Sequence, residues 1–184
     1  MNKLSLIRLA LAGLLFSVIN TSFSDPPFSG PKDVEFAGNL WEALEQSRLV
    51  GVNRFRAMPY ETPPPHGHFV EAIDGHITVE GHEGIVIVKK NFGKTKEESR
   101  QEIADNPDQY MTSITVMFKR EEGYDSDNKN WFWAKYNPDG SLQKNPKGMQ
   151  LAGRVAKGSD KACIACHVAA PGNDYVYIHD RYKD

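Results

Sequence analysis

Gly84-Ile85-Val86-Ile87-Val88-Lys89 is the stretch on which the fold turns. Four β-branched residues in a row suit extended backbone and pack well on a pleated surface. A run with no polar alternation reads as a central strand covered on both faces. Side chains alternate along it, so Ile85, Ile87 and Lys89 share one face, and Val86, Val88 and Lys90 share the other. A lysine that closes such a run on a core-facing row needs a partner or a path for its ammonium to water.

Strand signals continue on either side. Phe69 to Asp74 and Ile77 to Glu80 flank Gly75, and Gly81-His82-Glu83-Gly84 supplies a turn into the central run. Together they predict antiparallel strands joined by glycine turns. Met111 to Arg120, rich in Thr, Ile, Val and Phe, predicts a further strand. Trp131 to Tyr136 predicts one of large aromatics, closed by the turn Asn137-Pro138-Asp139-Gly140. Tyr175 to Ile178 predicts a last strand. Helix signals are fewer. Asn39 with Glu42 reads as a helix start running to Gln46, and Thr95-Lys96-Glu97-Glu98 as a capping box for a polar helix ending near Asn106-Pro107. Pro59 to Gly67, with four prolines, is an irregular loop, and Glu121 to Lys129 a charged one. The fold class is α+β: a mainly antiparallel sheet, flanking helices and a C-terminal helix that opens near Gly158-Ser159-Asp160 and stops at Pro171-Gly172.

That last helix carries Cys163-Ile164-Ala165-Cys166-His167, which reads as an attachment site for one covalent c-type haem. Three- and four-residue steps put both thiols and the imidazole on one helical side. Cys163 and Cys166 are then the thioether donors, and His167 the proximal iron ligand. The pair could instead form a disulfide, since the chain holds two cysteines. A thioredoxin-like motif expects a βαβ pattern that is absent here. Zinc is a third alternative, with Cys163, Cys166 and His167 joined by a fourth ligand such as His179, two adjacent ligands being awkwardly placed for a tetrahedron. The motif comes after a run of strands, whereas simple electron-transfer cytochromes are small helical proteins with the motif near the start.

The chain's other end agrees with haem attachment outside the cytoplasm. Lys3 and Arg8 precede the apolar run Leu9 to Ile19, and Ser22-Phe23-Ser24 offers small residues for cleavage. The run is about half of the ~20 residues needed to span a bilayer. The expected organisation is a signal peptide over 1–24, a flexible leader over 25–34 and one haem domain over 35–184, located in a bacterial periplasm. A net charge of −2 with both signs mixed points to no nucleic-acid partner.

With these features together, the chain resembles the cytochrome P460 and cytochrome c′-β family. The likeness is carried by Gly84 to Lys89, by Asn130-Trp131-Phe132-Trp133, and by Cys163 to His167 followed by Asp174-Tyr175-Val176, and it spans roughly residues 35 to 180. The resemblance implies a five-coordinate c haem on an antiparallel sheet, often in a homodimer. In the P460 branch a lysine is joined covalently to the porphyrin, and hydroxylamine or nitric oxide is oxidised with a soluble redox partner. In the c′-β branch that link is absent and nitric oxide is bound beneath an apolar cap. Lys89 aligns with the linking lysine, although neighbouring Lys90 leaves the register open. Asp127, Glu121 and Glu122 fall where the resemblance puts distal acidic residues, and Asp127 is the candidate proton acceptor. Trp131, Phe132 and Trp133 either line the pocket or fill the core. A sixth iron ligand from His66, His68, His76, His82, His179, Met111, Met117 or Met149 would make the protein an electron carrier; His66 and His68 are expected at the surface. Arg154, Lys157 and Lys161 could meet haem propionates.

Overall fold

The computed structural model describes residues 27–93, 98–155, 157–161 and 163–177. The expected signal peptide, Thr95 to Glu97, Ile178 and His179 lie outside these residues. Six strands form one sheet in chain order: β1 (Tyr60–Glu61), β2 (Phe69–Val79), β3 (His82–Phe92), β4 (Met111–Lys119), β5 (Trp131–Tyr136) and β6 (Ala152–Gly153). Every neighbouring pair is antiparallel. The sheet is therefore a meander, and the β-branched run occupies β3, flanked by β2 and β4 as its composition required.

The β2–β3 hairpin turns on two residues, Glu80 and Gly81, which both have positive φ. Such a turn matches the twist of its strands, and glycine reaches that conformation without a Cβ clash. The turn expected over Gly81 to Gly84 is thus shorter and earlier, and His82 to Gly84 belong to β3. Gly75 does not divide β2 either: it pairs with Val86 within an unbroken ladder. A glycine removes packing from a strand but leaves its backbone donor and acceptor in place.

Helix α1 spans Pro31–Gln46 and so begins well before Asn39, which sits inside it. Pro31 occupies the first turn, where a missing N–H costs nothing. Asp33 Oδ2 accepts from the Gly30 N–H at 3.3 Å, fixing the entry. The expected leader over 25–34 is accordingly anchored in its described part: Phe28 bridges to Gly153, and Ser29 N donates to Ala152 O at 2.8 Å. Helix α2 (Arg100–Asp105) opens on a different capping box, with Glu102 N donating to Ser99 Oγ and Ser99 N donating to Glu102 Oε2. A short helix, α3 (Pro107–Tyr110), leads into β4.

Two apolar clusters lie on opposite faces of the sheet. Phe36, Ala37, Leu40 and Leu44 of α1 meet Val86, Val88, Val116, Phe118 and Phe132. The Phe36 ring packs edge-on to Phe132 with centroids 4.7 Å apart. Burying each such side chain contributes about 1.5–3 kcal/mol. On the other face Ile87, Met117, Trp131 and Trp133 meet Val155, Ile164 and Tyr175. The alternation in Trp131-Phe132-Trp133 therefore divides the aromatics, the tryptophans facing the C-terminal segment and Phe132 facing α1.

The cysteine-bearing helix, α4, covers only Cys163–His167. It neither opens at Gly158 nor continues to Pro171, closing instead in turns such as Ala170 N to His167 O. Tyr175 to Tyr177 form no strand. Tyr175 is turned to positive φ, and its backbone carbonyl is engaged by His167 rather than by the sheet.

Candidate haem site

Strand parity decides which side chains reach α4. Ile87 and Lys89 of β3, Thr115 and Met117 of β4, and Trp133 of β5 face the C-terminal segment. With His66, Cys163 and His167 they line one cavity of about 30 Å³. Lys89 stands opposite Ala72 on one side and Thr115 on the other, and is nearly buried. Lys90 points through the opposite face, where Glu71 is its cross-strand partner. Its Nζ donates to Glu71 Oε2 at 3.3 Å and to Phe55 O at 2.7 Å. The strand register thus puts Lys89, and not Lys90, at the cavity.

His167 is held by the residues just C-terminal to its helix. Its Nδ1 lies 2.6 Å from the carbonyl of Tyr175. A carbonyl only accepts, so Nδ1 carries the proton and Nε2 keeps the lone pair. Trp131 Nε1 donates to Asp174 O at 3.0 Å, and the Lys119 ammonium meets the Asp174 carboxylate at 3.0 Å. Tyr175 Oη donates to Asn128 Oδ1 at 3.3 Å. These ties pin the Asp174–Tyr175 backbone to β4, β5 and the 3₁₀ turn at Ser126–Asn128, and through it they orient the imidazole. The His167 ring also packs edge-on to Trp133, centroids 4.9 Å apart. Burial, with Lys89 nearby, lowers the His167 pKa to about 4, so the imidazole is neutral at pH 7. Burial pushes the Cys163 thiol up to about 11.

His66 is at this cavity, not at the surface. Its ring faces that of His167 with centroids 6.0 Å apart and planes at 89°. Its Nδ1 lies 3.4 Å from Thr115 Oγ1, and burial, then Lys89, lowers its pKa to about 4. Beside it runs a polar ladder, with Asn91 Nδ2 donating to Ser113 Oγ at 3.0 Å and to Thr115 Oγ1 at 3.4 Å. Sequence reasoning missed Thr115, Asn91 and Ser113. Parity along β4 groups Ser113 and Thr115 with Met117, but only the strand register sets them against Asn91 and Lys89.

Other expected residues stand apart. Asp127 is exposed, meets the Lys157 ammonium at 3.2 Å and does not line the cavity. Lys157 also meets the buried carboxylate of Asp125, so this lysine braces the loop before β5. Glu121 pairs with Arg120 at the surface, and Glu122 is exposed. His82 Nε2 lies 3.1 Å from Lys119 O, and His76 is exposed. Met117 lines the cavity, while Met111 belongs to the core on the α1 side.

The donor set suits a haem. Cys163 and His167 share the cavity, Cys166 lies exposed beside them on the same helix, and both thiols are unpaired by any disulfide. The indole N–H of Trp133, at the same cavity, is buried without a hydrogen-bond partner among the described residues. An orphaned donor of that kind marks a place where a polar group is expected to sit. Among the described residues, no cluster of three or more His, Cys, Asp and Glu could hold a bare metal ion, so the zinc alternative finds no support there. The cavity itself is water-sized, and a macrocycle needs the His66 loop or α4 to yield.

Comparison with known proteins agrees with this chemistry. The sequence model of the cytochrome P460 family matches residues 71–178, which includes β3, β5 and the Cys163–His167 motif. Searches of curated proteins and of solved structures returned no match. The buried, tautomer-fixed histidine beside two cysteines on an antiparallel meander thus has its explanation in descent: the chain belongs to the cytochrome P460 family of c-type haem proteins.

Proposed function

We propose that this protein is an exported haem enzyme that oxidises hydroxylamine or nitric oxide, with one covalent haem held through Cys163, Cys166 and His167. The observation that carries the reading is Lys89, which shares its cavity with Cys163 and His167 while Lys90 is committed to Glu71 on the other face. A lysine at this cavity supports a link to the porphyrin of the kind the P460 branch carries.

The bound haem supplies the redox chemistry and a coordination site for a small nitrogen ligand. The chain supplies the rest. Cys163 and Cys166 would hold the ring through two thioether bonds, and His167 would donate to the iron through Nε2. The carbonyl of Tyr175 raises the basicity of that nitrogen by holding the proton on Nδ1. Ile87, Met117 and Trp133 keep bulk water from the site, which strengthens polar interactions inside it. The Thr115 hydroxyl offers a hydrogen-bonding position at the cavity wall. Asp127, turned to solvent against Lys157, is not given the proton-accepting role. Electrons leave to a soluble redox partner. Lys3, Arg8 and the apolar run Leu9 to Ile19 support export to a periplasm, and no helix among the described residues is long and apolar enough to cross a membrane.

The test is hydroxylamine-dependent reduction of a soluble electron acceptor by the purified holoprotein. Turnover is expected, and Lys89→Met should lower it by about tenfold or more, equivalent to about 1.4 kcal/mol of barrier, while haem stays bound through the cysteines. Tight nitric oxide binding with no turnover in the wild-type protein would favour the non-catalytic c′-β reading instead.

A further inference from the structure

We propose that a cationic groove beside α4 is the docking site of an acidic one-electron carrier protein, which takes electrons from the haem on its Cys163 side. This inference rests on the haem-enzyme reading above and names the class of its redox partner.

The groove has the make-up of an interface. It encloses about 440 Å³, and Phe28, Met149, Leu151 and Val155 form its apolar part. Lys147, Lys157 and Lys161 are its charged residues, and no acidic side chain lines it. An apolar centre with a polar surround is the pattern of protein–protein contacts.

Charge selects the occupant. The chain as a whole carries −2, yet the stretch that begins at Lys144 and ends at Lys161 also holds Lys147, Arg154 and Lys157 against a single acid, Asp160. Lys157 is engaged by Asp125 and Asp127. Lys147 and Lys161 are exposed and enter no ion pair among the described residues, so their charges can meet carboxylates of a partner. A local positive field on an otherwise acidic molecule steers an acidic protein to one face and one orientation.

Position selects the task. Val155 and Ile164 belong to one buried cluster, and Phe28, Leu151 and Cys163 pack against it. A partner seated in the groove thus rests on the same layer of side chains that backs the Cys163 thiol. The walls are set before docking. Asn145 Oδ1 accepts from Lys147 N at 2.9 Å and from Met149 N at 3.0 Å, and Lys157 N donates to Arg154 O at 3.0 Å. Little backbone ordering is then left to weaken the encounter.

The step is a single electron transfer. One electron passes from the ferrous haem to an oxidised carrier, for example Cu(II) of a blue-copper protein, which becomes Cu(I) as the iron becomes ferric. No bond forms or breaks.

The experiment is stopped-flow oxidation of the reduced holoprotein by an acidic plastocyanin and by a basic mitochondrial cytochrome c, at ionic strengths from about 0.01 to about 0.2 M. With plastocyanin the wild-type rate should fall about tenfold or more across this range, and with the basic cytochrome it should not fall. Lys147→Glu combined with Lys161→Glu should lower the low-salt plastocyanin rate by about tenfold and flatten its salt dependence. Arg100→Glu makes the same charge change on α2, whose Ile103 packs in the cluster on the α1 side of the sheet, and should leave the rate unchanged. A wild-type plastocyanin rate that does not fall with salt would overturn the site without recourse to any variant. So would an Arg100→Glu effect as large as that of the groove variant. A ferric spectrum altered by the groove substitutions would mean that the lysines hold the haem propionates, and an altered oligomeric state that a second copy fills the groove; either overturns the proposal. Loss of haem from the wild type under denaturing electrophoresis would instead overturn the haem reading. Absence of hydroxylamine turnover would remove the enzyme reading while the salt series still reported on docking.

Discussion

Lys89 and Lys90 are consecutive residues of one strand, and the sheet sends them into opposite environments. Lys90 is fully buried, paired across the ladder with Glu71, and capped by Phe55 O. Lys89 stands on the other face between Ala72 and Thr115, at a cavity that also holds two imidazoles and a thiol. The charge of Lys90 is met by a carboxylate in the same dry interior. Lys89 lines the cavity at which Cys163 and His167 converge. Identical side chains one position apart thus divide into a lysine of a buried ion pair and a lysine at the cavity, and a one-residue slip of β3 would exchange them.

The largest effect expected concerns the site side of this comparison. Replacing both Cys163 and Cys166 by alanine together with Lys89 by methionine should abolish covalent haem, read as loss of haem staining on a denaturing gel. Haem that survives the cysteine replacements and is lost only when Lys89→Met is added would show that the lysine by itself is a covalent tether.

The structural side is tested by Glu71→Gln. It leaves the Lys90 ammonium buried with a neutral partner, and removing one member of a buried ion pair costs about 3–5 kcal/mol. The low end is expected, about 3 kcal/mol in a denaturant midpoint series, because Phe55 O still accepts from Lys90. The haem spectrum should be unchanged. A spectral shift as large as the stability loss would mean that the two faces are not independent. A smaller effect comes from pH. Burial lowers the Lys90 pKa, with Glu71 opposing. Folded protein then binds fewer protons than unfolded protein between that lowered value and the ordinary 10.5, so stability rises with pH through this window. Tyr124 and Tyr136, whose pKa values burial raises, pull the other way above 10. The quantity to measure is therefore the stability advantage of wild type over Lys90→Met, which should widen as pH approaches 10.5. A difference that does not change with pH would remove the titration of Lys90 from the account.

The two faces also differ in how far the sequence foretells them. β3 and β5 are legible because β-branched and aromatic runs specify strands locally, and the parity that divides Lys89 from Lys90 follows at once. The Cys163–His167 motif stands out in the sequence because its spacing has few other uses, and the fold brings Cys163 and His167 to one cavity. Helix α1 is misjudged, since Asn39 mimics a cap while Gly30, Pro31 and Asp33 do the capping. Tyr175 is misread as strand because its β propensity is overridden by a tertiary hydrogen bond to His167. His66 is hidden in a proline-rich loop whose exposure is the usual rule. The close approach of Gly67 to Phe92 and the contact of His66 with Thr115 show that this loop folds inward. Long-range register and loop docking are what local pattern cannot carry.

The most direct measurement is the intact mass of haem-bearing peptides after proteolysis of the holoprotein. Haem attached to the Cys163–Cys166 peptide and to a peptide through Lys89, with Lys90 unmodified, is the predicted result. Haem on the cysteine peptide alone, or a link through Lys90, would contradict the division of the two lysines on which the proposed activity rests.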